Sequence, residues 1–203
     1  MTVVGVLALQ GDVREHAAVL QRIGAVPRLV RRPELLDGID ALVIPGGESS
    51  VIDKLSRSMG LRHPIREAIA DGLPVYGTCA GMIVLADRIV DGIAGQETFG
   101  GLDIEVRRNA FGRQTESFEV DLPVTGFDDG PVRAVFIRAP VVTEVGHGVR
   151  VLARLPTGGI VAVEHGNVLA TSFHPEATGD ERFHRLLLER VAARQAAAAA
   201  RAG

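Results

Sequence analysis

Three times in its first 81 residues the chain repeats one arrangement: a short apolar run, a glycine-bearing turn, then a segment of helical character. Val3 to Leu9 ends at Gly11-Asp12, where Asp12 with Glu15 three residues on reads as a capping box, and Gly24 stands where a left-handed residue commonly stops a helix. Ala41 to Ile44 runs into Pro45-Gly46-Gly47-Glu48-Ser49 and a helix from Ser50 to Met59, closed by Gly60. Val75-Tyr76 runs into Gly77-Thr78-Cys79-Ala80-Gly81 and a helix through Leu85. A further strand fits Val26 to Val30, and Pro64 suits the first turn of a helix that Gly72 stops. Such β-α alternation implies a parallel sheet covered by helices. The composition agrees: aromatic residues are 4% and glycines number 24, so the core is aliphatic and the turns are tight.

The second half has a different texture. Leu102 to Val106, Ser117 to Val120, Val132 to Ile137, Val149 to Leu155 and Gly159 to Glu164 read as short strands at sheet edges or in a small antiparallel layer. Val168 to Phe173 is another buried strand, and a helix starts near Asp180. With 203 residues, no repeat and no linker-like stretch, the expectation is one α/β domain over residues 1–203. It has a mostly parallel central sheet flanked by helices, with a small antiparallel β extension. Residues 191–203 form a helical or frayed tail.

A net charge of −3 gives no electrostatic footprint for nucleic acid or an anionic membrane. No apolar run approaches a membrane span, the N-terminus lacks the features of a signal peptide, and the single cysteine cannot form an internal disulfide. A cytoplasmic location is the expectation.

Cys79 sits between a strand and a helix, with Gly77 and Gly81 two residues to either side. This is the layout of a nucleophile elbow, a strained turn that thrusts its side chain out at the top of a sheet. The positive end of the helix dipole faces it, and the Ala80 N–H would point where an oxyanion forms. His174 follows a buried strand, Pro175 keeps it extended, and Glu176 two positions on lies on the same side. Nucleophile, base and orienter are thus all available. A lone cysteine is also commonly a small buried hydrophobe, and His-Pro-Glu also suits an ordinary turn. The other histidines show no metal-ligand spacing; His16 and His184 read as surface residues of helices. The Gly46-Gly47-Glu48-Ser49 turn could hold a carboxylate or oxyanion, or be a tight turn capped by Ser49. Arg108 and Arg138 follow strands and could pair with a substrate carboxylate, or form surface ion pairs.

Six segments together carry a resemblance. They are Gly5-Val6-Leu7-Ala8-Leu9-Gln10-Gly11, Pro45-Gly46-Gly47-Glu48-Ser49, Gly77-Thr78-Cys79-Ala80-Gly81, Asn109-Ala110-Phe111-Gly112-Arg113-Gln114, Phe136-Ile137-Arg138-Ala139-Pro140 and Thr171-Ser172-Phe173-His174-Pro175-Glu176. Over about residues 3 to 190 the chain resembles the glutaminase subunits of pyridoxal 5′-phosphate synthase, within the class I (triad) glutamine amidotransferases. The resemblance implies hydrolysis of L-glutamine to glutamate and ammonia. Cys79 attacks the side-chain amide, His174 protonates the departing ammonia, and Glu176 orients His174. The amides of Gly47 and Ala80 receive the oxyanion, while Gly47, Glu48, Ser49, Arg108, Ile137 and Arg138 hold the glutamine. No cofactor and no metal are implied. The implied partner is a synthase subunit that accepts the ammonia for vitamin B6 coenzyme synthesis; the Gln10-Gly11 turn, at the end of the first strand, is our expected interface with it. Two rival readings are another cysteine hydrolase on a similar fold and a non-catalytic glutamine-binding or scaffold subunit. Residues 88 to 101 match no motif and suggest a flexible loop.

Overall fold

The structure, a computed structural model, describes residues 1–108, 110 and 117–202. Apart from Ala110, the Asn109–Gln114 segment lies outside the described residues. In chain order the elements are β1 (Val3–Leu7), α1 (Val13–Arg22), β2 (Val26–Val30), β3 (Ala41–Ile44), α2 (Ser49–Ser58), α3 (Arg62–Ala70), β4 (Val75–Thr78) and α4 (Ala80–Leu85). There follow β5 (Ala86–Val90), β6 (Leu102–Arg107), β7 (Ser117–Leu122), β8 (Val132–Ile137), β9 (Val141–Val145) and β10 (Arg150–Arg154). The chain closes with β11 (Ile160–His165), β12 (Val168–Thr171), α5 (Pro175–Thr178) and α6 (Arg182–Ala202).

The main sheet runs β2-β1-β3-β4-β12-β11-β9-β6-β5, with β10 paired to β11. Its first five strands are mutually parallel. From β12 onward the pairing turns antiparallel, until β5 runs parallel to β6. β7 and β8 form a separate antiparallel pair. A mostly parallel block with a small antiparallel sheet is thus the observed architecture.

Alternation along the central strands explains why both faces must be covered. Leu7, Leu42, Ile44, Val75, Val168 and Ala170 face one core with Ile52 of α2 and Ile65 of α3. Val4, Val6, Ala41, Val43, Tyr76 and Leu169 face the other, with Leu20 of α1, Phe136 of β8 and Phe183 and Leu187 of α6.

Several local expectations need correction. β5 and β9 are strands beyond those expected from the sequence. β5 is a sheet-edge strand carrying the exposed Asp87 and Arg88; charge of that kind protects an edge but masks the strand pattern. Asp12 stands at the N-cap of α1 without capping it, since its side chain makes no cap hydrogen bond. Glu48, not Ser49, caps α2, its carboxylate accepting from the Ser50 N–H. The alanine tail continues α6 to Ala202, as the high helix propensity of alanine favours.

Candidate active site

Because β4 and β12 are parallel neighbours, with Thr78 opposite Thr171, the chain leaves both strands at one rim of the sheet. The Cys79 N–H donates to the Thr171 carbonyl at 2.8 Å, tying the turn after β4 to the end of β12. Cys79 has φ 49° and ψ −102°, a backbone strain that belongs with functional turns. Gly81 permits this turn: a Cβ there would lie 2.2 Å from the Ile44 carbonyl oxygen. Ala80 opens α4, so its N–H is among those a helix leaves without an internal partner.

His174 is fixed from three sides. Its N–H donates to the Val135 carbonyl of β8 at 3.0 Å. Its Nδ1 lies 2.8 Å from Glu176 Oε1 and 3.2 Å from Asp12 Oδ2. Its ring packs on the Gly46 backbone so closely that a Cβ at Gly46 would sit 2.3 Å from Cε1. The His174–Glu176 pairing stands, but by a different route from an extended strand: Pro175 opens the short α5, and Glu176 belongs to its first turn. Cys79, His174 and Glu176 are 6%, 5% and 6% exposed, a constellation shielded from bulk water.

Burial alone would depress His174, but Asp12, Cys79 and Glu176 outweigh it and the imidazole is pushed up to about 12. Burial likewise raises Glu176, yet His16 and His174 prevail and hold its carboxyl well below the usual range. The rim therefore carries an imidazolium between a carboxylate and a cysteine sulfur.

A cleft of about 230 Å³ opens above these groups. That is below the roughly 300–1,000 Å³ of drug-sized ligand sites and suits a substrate of amino-acid size. Its walls include Cys79, His174, Gly47, Glu48, Ser49, Arg108, Ile137 and Arg138. Ala80 and Glu176 are not in the lining; Glu176 supports His174 from behind. Arg138 lies in the left-handed region at φ 47°, and the Ile137 carbonyl is 4.0 Å from Cys79 Sγ. Arg108 Nη2 donates to Glu48 Oε1 at 2.7 Å. With Arg138 and Asp12 also present, the walls hold both signs of charge, as a zwitterionic amino acid requires.

Gln10 and Asp12, also on the walls, extend the site beyond the candidate residues. Gln10 Oε1 accepts the Glu48 N–H at 2.7 Å and crowds Gly47, whose φ is 149°. Both Gln10 and Asp12 follow β1, a parallel strand that ends at this same rim. Strand-end position was therefore the signal for Asp12, obscured by its simpler reading as a cap. His16 and His184 are the second correction: neither is a surface residue, and both are fully buried. His16 shares its helix face with Val19 and Leu20, which are also buried, so helical spacing could have placed it inward. His16 Nε2 reaches Thr78 Oγ1 at 3.0 Å, and His16 Nδ1 lies 2.9 Å from His184 Nε2.

Known proteins resemble this chain in sequence and in fold. The protein named pyridoxal 5′-phosphate synthase subunit PdxT from Clavibacter michiganensis subsp. michiganensis is 66% identical over 188 residues, covering 93% of this chain and 90% of that protein. The protein of the same name from Leifsonia xyli subsp. xyli is 63% identical, covering 93% and 95%. A crystal structure described as a glutamine amidotransferase superposes with a TM-score of 0.87 at 52% identity, covering 93% of this chain and 98% of the other. The SNO glutamine amidotransferase family matches residues 6–193, and the chain belongs to that family.

Proposed function

We propose that this chain hydrolyses L-glutamine to L-glutamate and ammonia through Cys79, His174 and Glu176, and passes the ammonia to a pyridoxal 5′-phosphate synthase subunit. The observation that carries the reading is the convergence of thiol, imidazole and buried carboxylate at the base of a small cleft with charged walls. The relatives named as synthase subunits support the partner. Among the described residues no helix is long and apolar enough to cross a membrane, which is compatible with a cytoplasmic location.

The reaction follows from these groups. The Cys79 sulfur adds to the side-chain carbonyl carbon of glutamine, and the oxyanion so formed is received by the N–H groups of Gly47 and Ala80. His174, already an imidazolium, gives a proton to the amide nitrogen as the C–N bond breaks and ammonia leaves. The sulfur is then a neutral thioester, so its lift on His174 disappears and the imidazole can act as base. Water attacks the thioester with His174 taking its proton; the C–S bond then breaks, releasing glutamate and restoring the Cys79 sulfur beside the His174 imidazolium. Arg108, Arg138, Ser49 and Glu48 hold the charged end of glutamine, with Ile137 beside them. Gln10 lines the cleft, and the Gln10-Gly11 turn is the side we assign to the synthase subunit.

The decisive experiment is glutamate release from L-glutamine, with and without the cognate synthase subunit, beside Cys79→Ala. Release that the partner stimulates and the substitution abolishes is the expected result. Release persisting in Cys79→Ala refutes the nucleophile, and none in a verified complex leaves a scaffold.

A further inference from the structure

Residues 91–101 cross from the end of β5 to the start of β6. Within them the stretch from Gln96 to Phe99 is tied to the surrounding elements. Phe99 is buried, and its N–H donates to the Val84 carbonyl at 2.6 Å. The Glu97 N–H donates to Asp53 Oδ2 at 3.2 Å, and its carboxylate pairs with Arg62. Arg66 Nη1 donates to the Thr98 carbonyl at 3.0 Å.

These anchors hold one side chain, Gln96, behind the cleft wall. Its Oε1 accepts from Arg108 Nη1 at 2.9 Å, and its Nε2 donates to Ser49 Oγ at 3.0 Å. The orientation of the amide is dictated by its partners, since a guanidinium can only donate. The oxygen must face Arg108 and the NH2 must face Ser49. The Ser49 hydroxyl is thereby the acceptor in that bond, which leaves its own proton to be donated elsewhere. Arg108 engages Nη1 on Gln96 and Nη2 on Glu48, while a guanidinium has five N–H donors in a rigid plane. Both wall residues are thus left as donors, one of them cationic, and an anionic group is what they suit.

We propose that Gln96 is a positioning residue that determines specificity. By fixing the Arg108 plane and turning Ser49 into a donor, it builds a subsite for the α-carboxylate of the amino-acid substrate. The proposal rests on the reading of the cleft as the glutamine site and goes further by naming what orients its carboxylate end.

The test is steady-state hydrolysis by the complex with the synthase subunit, using L-glutamine and L-glutamine α-amide, which lacks the carboxylate charge. In Gln96→Ala the KM for L-glutamine should rise about tenfold, and the preference in kcat/KM for L-glutamine over the α-amide should shrink by a similar factor. The kcat should stay within about twofold, with an unchanged melting temperature. Gln96→Glu keeps an acceptor for Arg108 but has no donor for Ser49 and adds a negative charge; its KM should rise at least as far. An unchanged KM in both variants overturns the proposal. So does a fall in kcat with the preference intact, which would mark Gln96 as general loop support. Failure of the wild-type complex to hydrolyse glutamine would instead remove the underlying reading of the cleft.

Discussion

His16 Nε2 lies 3.4 Å from Glu176 Oε1, the same carboxylate oxygen that His174 Nδ1 engages at 2.8 Å. One buried oxygen therefore faces two imidazoles, and Glu176 Oε2 has no hydrogen-bond partner among the described residues. Behind His16 stands His184, pushed down to about 3 by burial and by His16, so it is neutral at physiological pH and carries one N–H. With that proton on Nε2, His184 donates to His16 Nδ1 and leaves the His16 Nε2–H shared between Thr78 Oγ1 at 3.0 Å and Glu176 Oε1 at 3.4 Å. This tautomer also leaves His184 Nδ1 as a bare acceptor, in keeping with its lack of a partner.

Replacing His16 by Ala removes one of the two groups that hold Glu176 ionised. The carboxyl should then take up a proton at higher pH, and the acid limb of the kcat/KM profile should move upward. The buried Thr78 hydroxyl and His184 Nε2, which both lose His16 as partner, should cost about 1–3 kcal/mol of stability. His16→Gln, which retains an N–H donor, should recover part of the activity. An acid limb that stays in place in His16→Ala would assign His16 to packing alone.

Asp12 acts on the same His174 Nδ1 that Glu176 engages, its Oδ2 lying 3.2 Å away. Its carboxylate is one of the groups that raise His174, so Asp12→Asn should let the imidazolium release its proton at lower pH. The base needed for thioester hydrolysis then becomes available earlier, and the kcat profile at saturating glutamine should shift towards acid. The Asp12 side chain is half-exposed, so the melting temperature should barely change. A kcat profile identical to wild type would show that this contact has no influence on catalysis.

The legibility of the chain follows its regularities. β1, β3, β4 and β12 were readable because each is a short apolar run ending at a turn with glycine or His-Pro, and the rim rule for parallel strands brought Cys79, His174 and the Gly46-Gly47 turn together. What escaped was set by tertiary context. Asp12 fits a helix start and a catalytic contact equally well in sequence, and only the packing of Gly46 against His174 decides between them. His16 shares a buried helix face with Val19 and Leu20, but its partner His184 lies 168 residues away, and that pairing is what no local pattern encodes. Gln96 lies in an irregular segment whose position is set by Phe99 and Arg62 rather than by repeating backbone geometry.

Gly46→Ala tests how closely the turn after β3 and the imidazole are fitted. The added methyl would meet His174 Cε1 at 2.3 Å and Asp12 Oδ2 at 2.9 Å, so the ring must leave its present position. Displacement of about 1 Å in a reacting group can cost about 100-fold in rate. Glutaminase activity of the complex should fall by about that factor, while the melting temperature drops only modestly because the turn is at the rim rather than in either core. Activity within a fewfold of wild type would mean that the ring has another productive position.

The buried histidines also predict how stability varies with pH. The folded His184 stays neutral down to about 3, whereas its ordinary value is 6.5. Between those values the unfolded chain binds a proton that the folded chain does not, so stability falls as the pH drops through that window. Glu176, held well below its ordinary value, adds to the loss at the acid end, as its carboxylate is forced to protonate. His174 has the opposite sign. Its contribution is complete below 6.5 and is lost as the pH rises towards about 12, because the folded chain holds a proton that the unfolded chain has released. The melting temperature should therefore peak near neutrality and decline on both sides. In His184→Gln, which keeps a donor for His16 but cannot titrate, the acid-side decline between 6.5 and 3 should flatten even if the peak is lower. An acid slope equal to that of the wild-type chain would show that other groups govern the loss.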